Sequence, residues 1–184
     1  MRKLCLLVAL AWAAAAVAQT SMPEGDRNSP SFGPSDWEKR QEERDRGELA
    51  VKLPPLPMPE NLIEFYVSAG STFRFFIDAA SVAVGEDGIV RYTLVARSAS
   101  GADNVSYEGM RCRSGEYKVY AYSSGAKWSP AVSEWKPVEP KSVQRWHQAL
   151  RREYFCPFNA IVVSTAQAVD FLREGGHPDF RRKY

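Results

Sequence analysis

The sequence predicts an α+β domain: an antiparallel β-sheet of about five to seven strands with two C-terminal helices on one face and one disulfide. Three observations predict it. Between residues 61 and 122 short apolar or alternating runs follow one another through turns rich in Gly, Ser and Asp, and no helical spacing interrupts them before residue 142. Parallel neighbours need a crossover of about a dozen residues, so loops this short make the strands antiparallel. Helical patterns come only afterwards, and the domain carries one even pair of cysteines, Cys112 and Cys156.

The elements follow in order. Arg2 and Lys3 precede an unbroken apolar run from Leu4 to Val17, and Ala16-Val17-Ala18 supplies a small-x-small site. Residues 1–18 therefore read as a secretory signal peptide cleaved after Ala18. The run is shorter than the ~20 residues a membrane-spanning helix needs, so no stable span is expected. Residues 19–34 are rich in Ser, Pro and Gly with little to bury, the composition of a disordered lead. Ser35 and Glu38 form a capping-box pattern that opens a short charged helix over 35–48, where Trp37 is the one large apolar residue. Residues 49–60 hold Pro54, Pro55, Pro57 and Pro59, which read as an extended, stiff strap.

The compact domain spans 61–176. Leu62 to Val67 and Phe73 to Ile77 read as strands joined by Ser68 to Ser71. Ser81 to Val84 and Ile89 to Arg97 form a hairpin around Gly85-Glu86-Asp87-Gly88, an Asp-Gly turn. Along the second strand Val90, Tyr92, Leu94 and Ala96 alternate with Arg91, Thr93, Val95 and Arg97, which predicts one drier face. Asn104 to Cys112 and Glu116 to Tyr122 make a further hairpin around Arg113-Ser114-Gly115, and 123–141 is a loop with room for one short edge strand. Ser142 caps a helix with apolar positions Val143, Trp146, Leu150 and Tyr154, ending before Pro157. Thr165 caps a last helix bearing Val169 and Leu172 and closed by Gly175, and a basic tail occupies 177–184.

Export changes the charge arithmetic. The full chain has 24 basic and 22 acidic residues, a net +2, and both surplus charges belong to Arg2 and Lys3. A neutral mature protein has no overall pull toward nucleic acid or an anionic bilayer. Residues 141–184 carry +4 and 19–60 carry −3, so the acidic lead has a basic segment it could meet. Cys5 lies before the expected cleavage site and drops out, which leaves Cys112 and Cys156. An even pair in an exported chain reads as a disulfide. Closing a loop of about 45 residues contributes about 4 kcal/mol on the chain-entropy account. The redox alternative lacks a C-x-x-C motif.

Chemistry is sparsely supplied. His147 and His177 sit in no zinc-ligand spacing, and the nucleophile-elbow, phosphate-loop and haem-attachment motifs are missing from the sequence. No catalytic residue, metal or cofactor is assigned. Glu64, Asp78 and Glu108 are the acids on or beside strands, each expected on a solvated strand face, with Glu108 the least unsuitable for a carboxylate hydrolase. Aromatic residues are dense, and a few of them exposed in one groove would mark a binding surface. The candidate binding residues are Trp37, Tyr107, Glu108, Trp128 and Trp135.

Four ordered stretches carry a family resemblance. They are Pro57-Met58-Pro59-Glu60-Asn61-Leu62-Ile63-Glu64-Phe65, the run from Val84 to Val95 (VGEDGIVRYTLV), Asn104-Val105-Ser106-Tyr107-Glu108-Gly109-Met110-Arg111-Cys112, and Tyr154-Phe155-Cys156-Pro157. Together they resemble the cryptic neisserial protein-like family of exported bacterial proteins over roughly residues 37–175. The resemblance implies a periplasmic protein of unknown biochemical function and supplies no catalytic residues. Members are often described as lipoproteins, but this chain has no lipid-accepting Cys after its apolar run. The function expected is a non-enzymatic periplasmic accessory or binding domain whose candidate partner is another envelope protein. The alternative is an envelope hydrolase acting on glycan or peptide through sheet carboxylates.

Overall fold

The computed structural model describes Ser35, Glu38 and residues 47–123, 125–140 and 145–181. The expected signal peptide, the lead 19–34, Trp37 and most of the charged helix lie outside the described residues. Ser35 and Glu38 make the reciprocal bonds of a capping box: the Ser35 backbone N–H donates to Glu38 Oε2 (2.7 Å), and the Glu38 N–H donates to Ser35 Oγ (3.3 Å).

Among the described residues seven strands form one antiparallel sheet: β1 (Leu62–Phe65), β2 (Phe73–Val84), β3 (Ile89–Ser98), β4 (Asp103–Arg111), β5 (Glu116–Ser123), β6 (Trp128–Pro130) and β7 (Lys136–Pro137). Neighbours in sequence are neighbours in the sheet from β1 to β6, and β7 pairs with β5 beside β6. Two expectations need correction. The runs Phe73–Ile77 and Ser81–Val84 are one strand, whose register with β3 shifts between Asp78 and Ala83. At this bulge the Ser81 hydroxyl donates to Asp78 O (2.7 Å) and accepts the Thr93 N–H (2.8 Å), filling the gap in the ladder. The 123–141 loop holds two short strands rather than one.

Helix α1 (Arg145–Ala149) continues into a wide π-helical segment, Leu150–Phe155, closed by an i→i+5 bond from the Cys156 N–H to Arg151 O (3.0 Å). The segment buries Leu150, Tyr154 and Phe155 together. Helix α2 (Thr165–Arg173) is capped by Ser164, whose Oγ accepts the Gln167 N–H (3.2 Å). The expected cap, Thr165, instead accepts the Val84 N–H from β2 (3.2 Å). Gly175 has φ 77°, the left-handed conformation a helix C-terminus favours.

Both helices pack on one sheet face. Phe65, Ile77, Tyr92, Leu94 and Met110 form the core there with Leu150, Phe155, Ala168 and Leu172. Cys112, just past β4, is bonded to Cys156 at the end of the π-helical segment, so the expected disulfide ties the sheet to the helical layer.

The alternation along β3 predicted a drier and a wetter face, and the structure differs. Arg91, Thr93 and Val95 are as buried as Tyr92 and Leu94. Extended residues 47–58 supply cover on that second side. The Leu49 N–H donates to Asp87 Oδ2 (3.0 Å), Arg91 donates to Leu49 O (3.4 Å), and the Trp128 indole donates to Pro54 O (2.7 Å). Asp87 therefore does more than turn the hairpin: buried beside Arg91, it holds that guanidinium and anchors the extended segment.

Candidate functional site

Glu108 and His147 come together on the helical side of the sheet. Glu108 pairs across strands with Tyr92 on β3 and Val119 on β5, so its side chain belongs to the inward face. His147 comes from α1, and its Nε2 lies 2.8 Å from Glu108 Oε2. The Tyr92 hydroxyl donates to the same oxygen (3.1 Å), and the Ser106 hydroxyl donates to Oε1 (2.6 Å). The Tyr117 ring stacks on the imidazole with centroids 3.8 Å apart. Glu108 and His147 are each 3% exposed.

The electrostatics follow from this geometry. Burial pushes the Glu108 carboxyl up, but the His147 charge and the bonds from His147, Ser106 and Tyr92 together outweigh it. The group is held below the ordinary carboxylate range. Tyr92 is driven far above the ordinary phenol range, first by burial and then by the Glu108 charge. Glu108 thus stays ionised while Tyr92 stays a neutral donor. The solvated strand face expected for Glu108 and Asp78 is corrected: both are 3% exposed, because helices and extended chain cover both faces. Glu64 is exposed and makes an ion pair with Arg74.

Above the pair lies a cavity of about 480 Å³, a volume suited to a small molecule. Its walls include Phe73, Phe75, Leu94, Tyr117, Val119 and Trp146. Trp146 stacks on Phe75 at 5.4 Å, and Lys136 and Ser133 of the β6–β7 region also line the space. Glu108 is the only acidic residue among the described residues that line it. A larger cleft of about 710 Å³ lies near the β1–β2 turn, but Glu64 there pairs with Arg74 and Glu174 with Arg181.

The candidate binding residues do not gather in one place. Glu108 lines the cavity, whereas Tyr107, Trp128 and Trp135 lie on the opposite side of the sheet with the extended segment. Tyr107 packs on Trp128 (6.3 Å) and Tyr120 (5.8 Å). Trp135 stacks under Arg111 (4.1 Å) and donates to Glu48 Oε2 (3.2 Å), which also accepts from Lys118 (3.1 Å). These aromatics hold residues 48–54 in place. The sequence pattern marks neither Tyr92 nor Ser106 as a site residue, and for His147 it shows only the lack of a zinc-ligand spacing. The available signal was polar atoms on an inward face, since Tyr92, Ser106 and Glu108 share the side of Leu94 and Met110. Among the described residues no group of three or more His, Cys, Asp or Glu is placed to hold a metal ion.

Fold and cavity define a class: a disulfide-stapled α+β domain whose sheet carries an apolar pocket over a buried carboxylate–imidazole pair. The chain belongs to the CNP1-like family, whose model matches residues 41–173. It is similar to Cryptic neisserial protein 1 of Neisseria gonorrhoeae (strain ATCC 700825 / FA 1090), with 30% identity over 112 residues, 52% of this chain and 55% of that protein. The match thus spans about half the length of that relative. No solved structure matches.

Proposed function

We propose that this protein is an exported, periplasmic accessory domain that binds a small molecule in the cavity above Glu108 and His147 without reacting with it. The observation that carries the reading is the state of Glu108. Both its oxygens already accept hydrogen bonds, from Tyr92, Ser106 and His147, and it is held below the ordinary carboxylate range. A general acid needs its proton near working pH, and a glycosidase needs a second carboxylate about 5–9 Å away. No second acid lines this cavity among the described residues. Glu108 and His147 therefore act as a rigid floor.

Export is supported by the basic start, the apolar run from Leu4 to Val17 and the Ala16-Val17-Ala18 site. The Cys112–Cys156 disulfide suits an oxidising compartment. The test is native mass spectrometry of protein recovered from the periplasm of its host, comparing wild type with Ser133→Trp, which places an indole at the cavity wall. The expected result is a mature chain beginning at Gln19 that carries a small-molecule adduct the variant lacks. Turnover of envelope glycan or peptide that disappears in Glu108→Gln would replace this reading with a hydrolase.

A further inference from the structure

The lining of the cavity narrows the chemistry of its occupant, on the reading that the cavity binds a ligand. Five aromatic side chains contribute to it: Phe73, Phe75, Tyr117, Tyr122 and Trp146. Tyr122 is 54% exposed and the neighbouring Val132 is fully exposed, so the apolar surface continues from the walls out to solvent. Such a surface favours an apolar body that enters from the rim.

The polar groups are unevenly distributed. At the floor the Glu108 carboxylate is surrounded by donors and has no oxygen left without one. Lys136 is the only Lys or Arg among the described residues that line the cavity. It faces Tyr117 as its cross-strand partner, which puts it on the cavity side of β7. It is exposed and makes no ion pair among the described residues, unlike Lys118, which is paired with Glu48. The Trp146 indole N–H, a donor only, is buried without an acceptor among the described residues. An apolar wall with an unpaired ammonium group and an unmatched donor is complementary to an apolar molecule bearing one anionic acceptor group.

We propose that the cavity binds a hydrophobic monocarboxylate, its apolar body against Phe75, Tyr117 and Trp146 and its carboxylate at Lys136. Alkyl and aryl acids share this chemistry, and the experiment separates them. The full mature chain is titrated with decanoate, 2-naphthoate and the uncharged decanol, each below its aggregation limit, while the Trp146 indole and Tyr117 ring resonances are followed by NMR. The expected result is saturable shifts at both residues with an acid. Decanol binds at least tenfold more weakly, and Lys136→Glu weakens the acid at least tenfold without changing decanol. Tighter binding of decanoate assigns an acyl chain, and tighter binding of 2-naphthoate an aryl acid. Equal binding of decanol and both acids overturns the carboxylate assignment while leaving a binding cavity in place. So does an unchanged affinity in Lys136→Glu, whose spectrum checks its fold. If none of the three probes shifts Trp146 or Tyr117, the cavity reading falls as well.

Discussion

Replacing His147 by Phe tests the central pair most directly. The substitution retains a ring beneath Tyr117, which now stacks at 3.8 Å, and removes the 2.8 Å contact to Glu108. Glu108 then remains ionised with two hydroxyl donors and no imidazole partner, its side chain 4% exposed. Removing one hydrogen-bond partner of a buried group costs about 1–3 kcal/mol, and more where that group is charged. Glu108 is charged but keeps its Tyr92 and Ser106 bonds, which places this case at about 3 kcal/mol. For a domain of this size that is a fall in Tm of about 6–12 °C. Adding Glu108→Gln removes the stranded charge, so the double variant is more stable than His147→Phe alone. Urea unfolding of the four proteins at pH 7 gives the coupling energy. A second signature is pH. The Glu108 carboxyl is held below its ordinary 4.5, so its contribution is complete above about pH 4.5 and is lost as pH falls through the lower folded value. Glu108→Gln lacks this dependence. A coupling below about 0.5 kcal/mol, the limit for independent sites, would refute the account of Glu108 and His147 as one unit.

Asp78 behaves in the opposite sense. Burial pushes its carboxyl above the ordinary 3.8, only partly opposed by the Ala80 N–H, so its ionisation destabilises the fold as pH rises through the folded value. Asp78→Asn therefore raises Tm at pH 7, and the gain shrinks as pH falls through the folded value and is gone below about pH 3.8; a lower Tm at pH 7 would contradict this. Trp128→Phe removes the 2.7 Å bond to Pro54 O, at a cost of about 1 kcal/mol. Hydrogen exchange should quicken at 49–58 and stay unchanged in β2 and β3, whereas uniform quickening would argue against a local tether. Replacing Cys112 and Cys156 by Ala removes a cross-link spanning 44 positions and lowers stability by about 4 kcal/mol. Alkylation of the native protein without reductant should leave its mass unchanged, and a shift would show free thiols.

Local chemistry in the sequence determined the sheet, its order and its staple. The turns at Gly88, Gly101 and Gly115 take positive φ, which glycine adopts without strain, so they could be read from single residues. Strand periodicity needs only a few neighbours, and an even cysteine pair needs only counting. Even here one strand passes for two in the sequence, because the bulge between Asp78 and Ala83 breaks its periodicity while the Ser81 side chain fills the gap in the ladder.

Tertiary structure alone decided the burial of the charges and the site. Glu108 and His147 are 39 positions apart, and no pattern within either strand or helix registers the other. The second face of β3 looked wet because its cover, residues 47–58, comes from 42 positions away at Leu49–Arg91 and 74 at Pro54–Trp128. Sequence periodicity reports which side chains share a face. Whether that face meets water depends on what the chain later lays across it, and that depends on long-range packing. Tyr107, Trp128 and Trp135 were legible as aromatics with work to do, but the pleat sends them to the opposite side from Glu108. The alternation of a strand separates such neighbours, and the cavity forms only where α1 closes over one side.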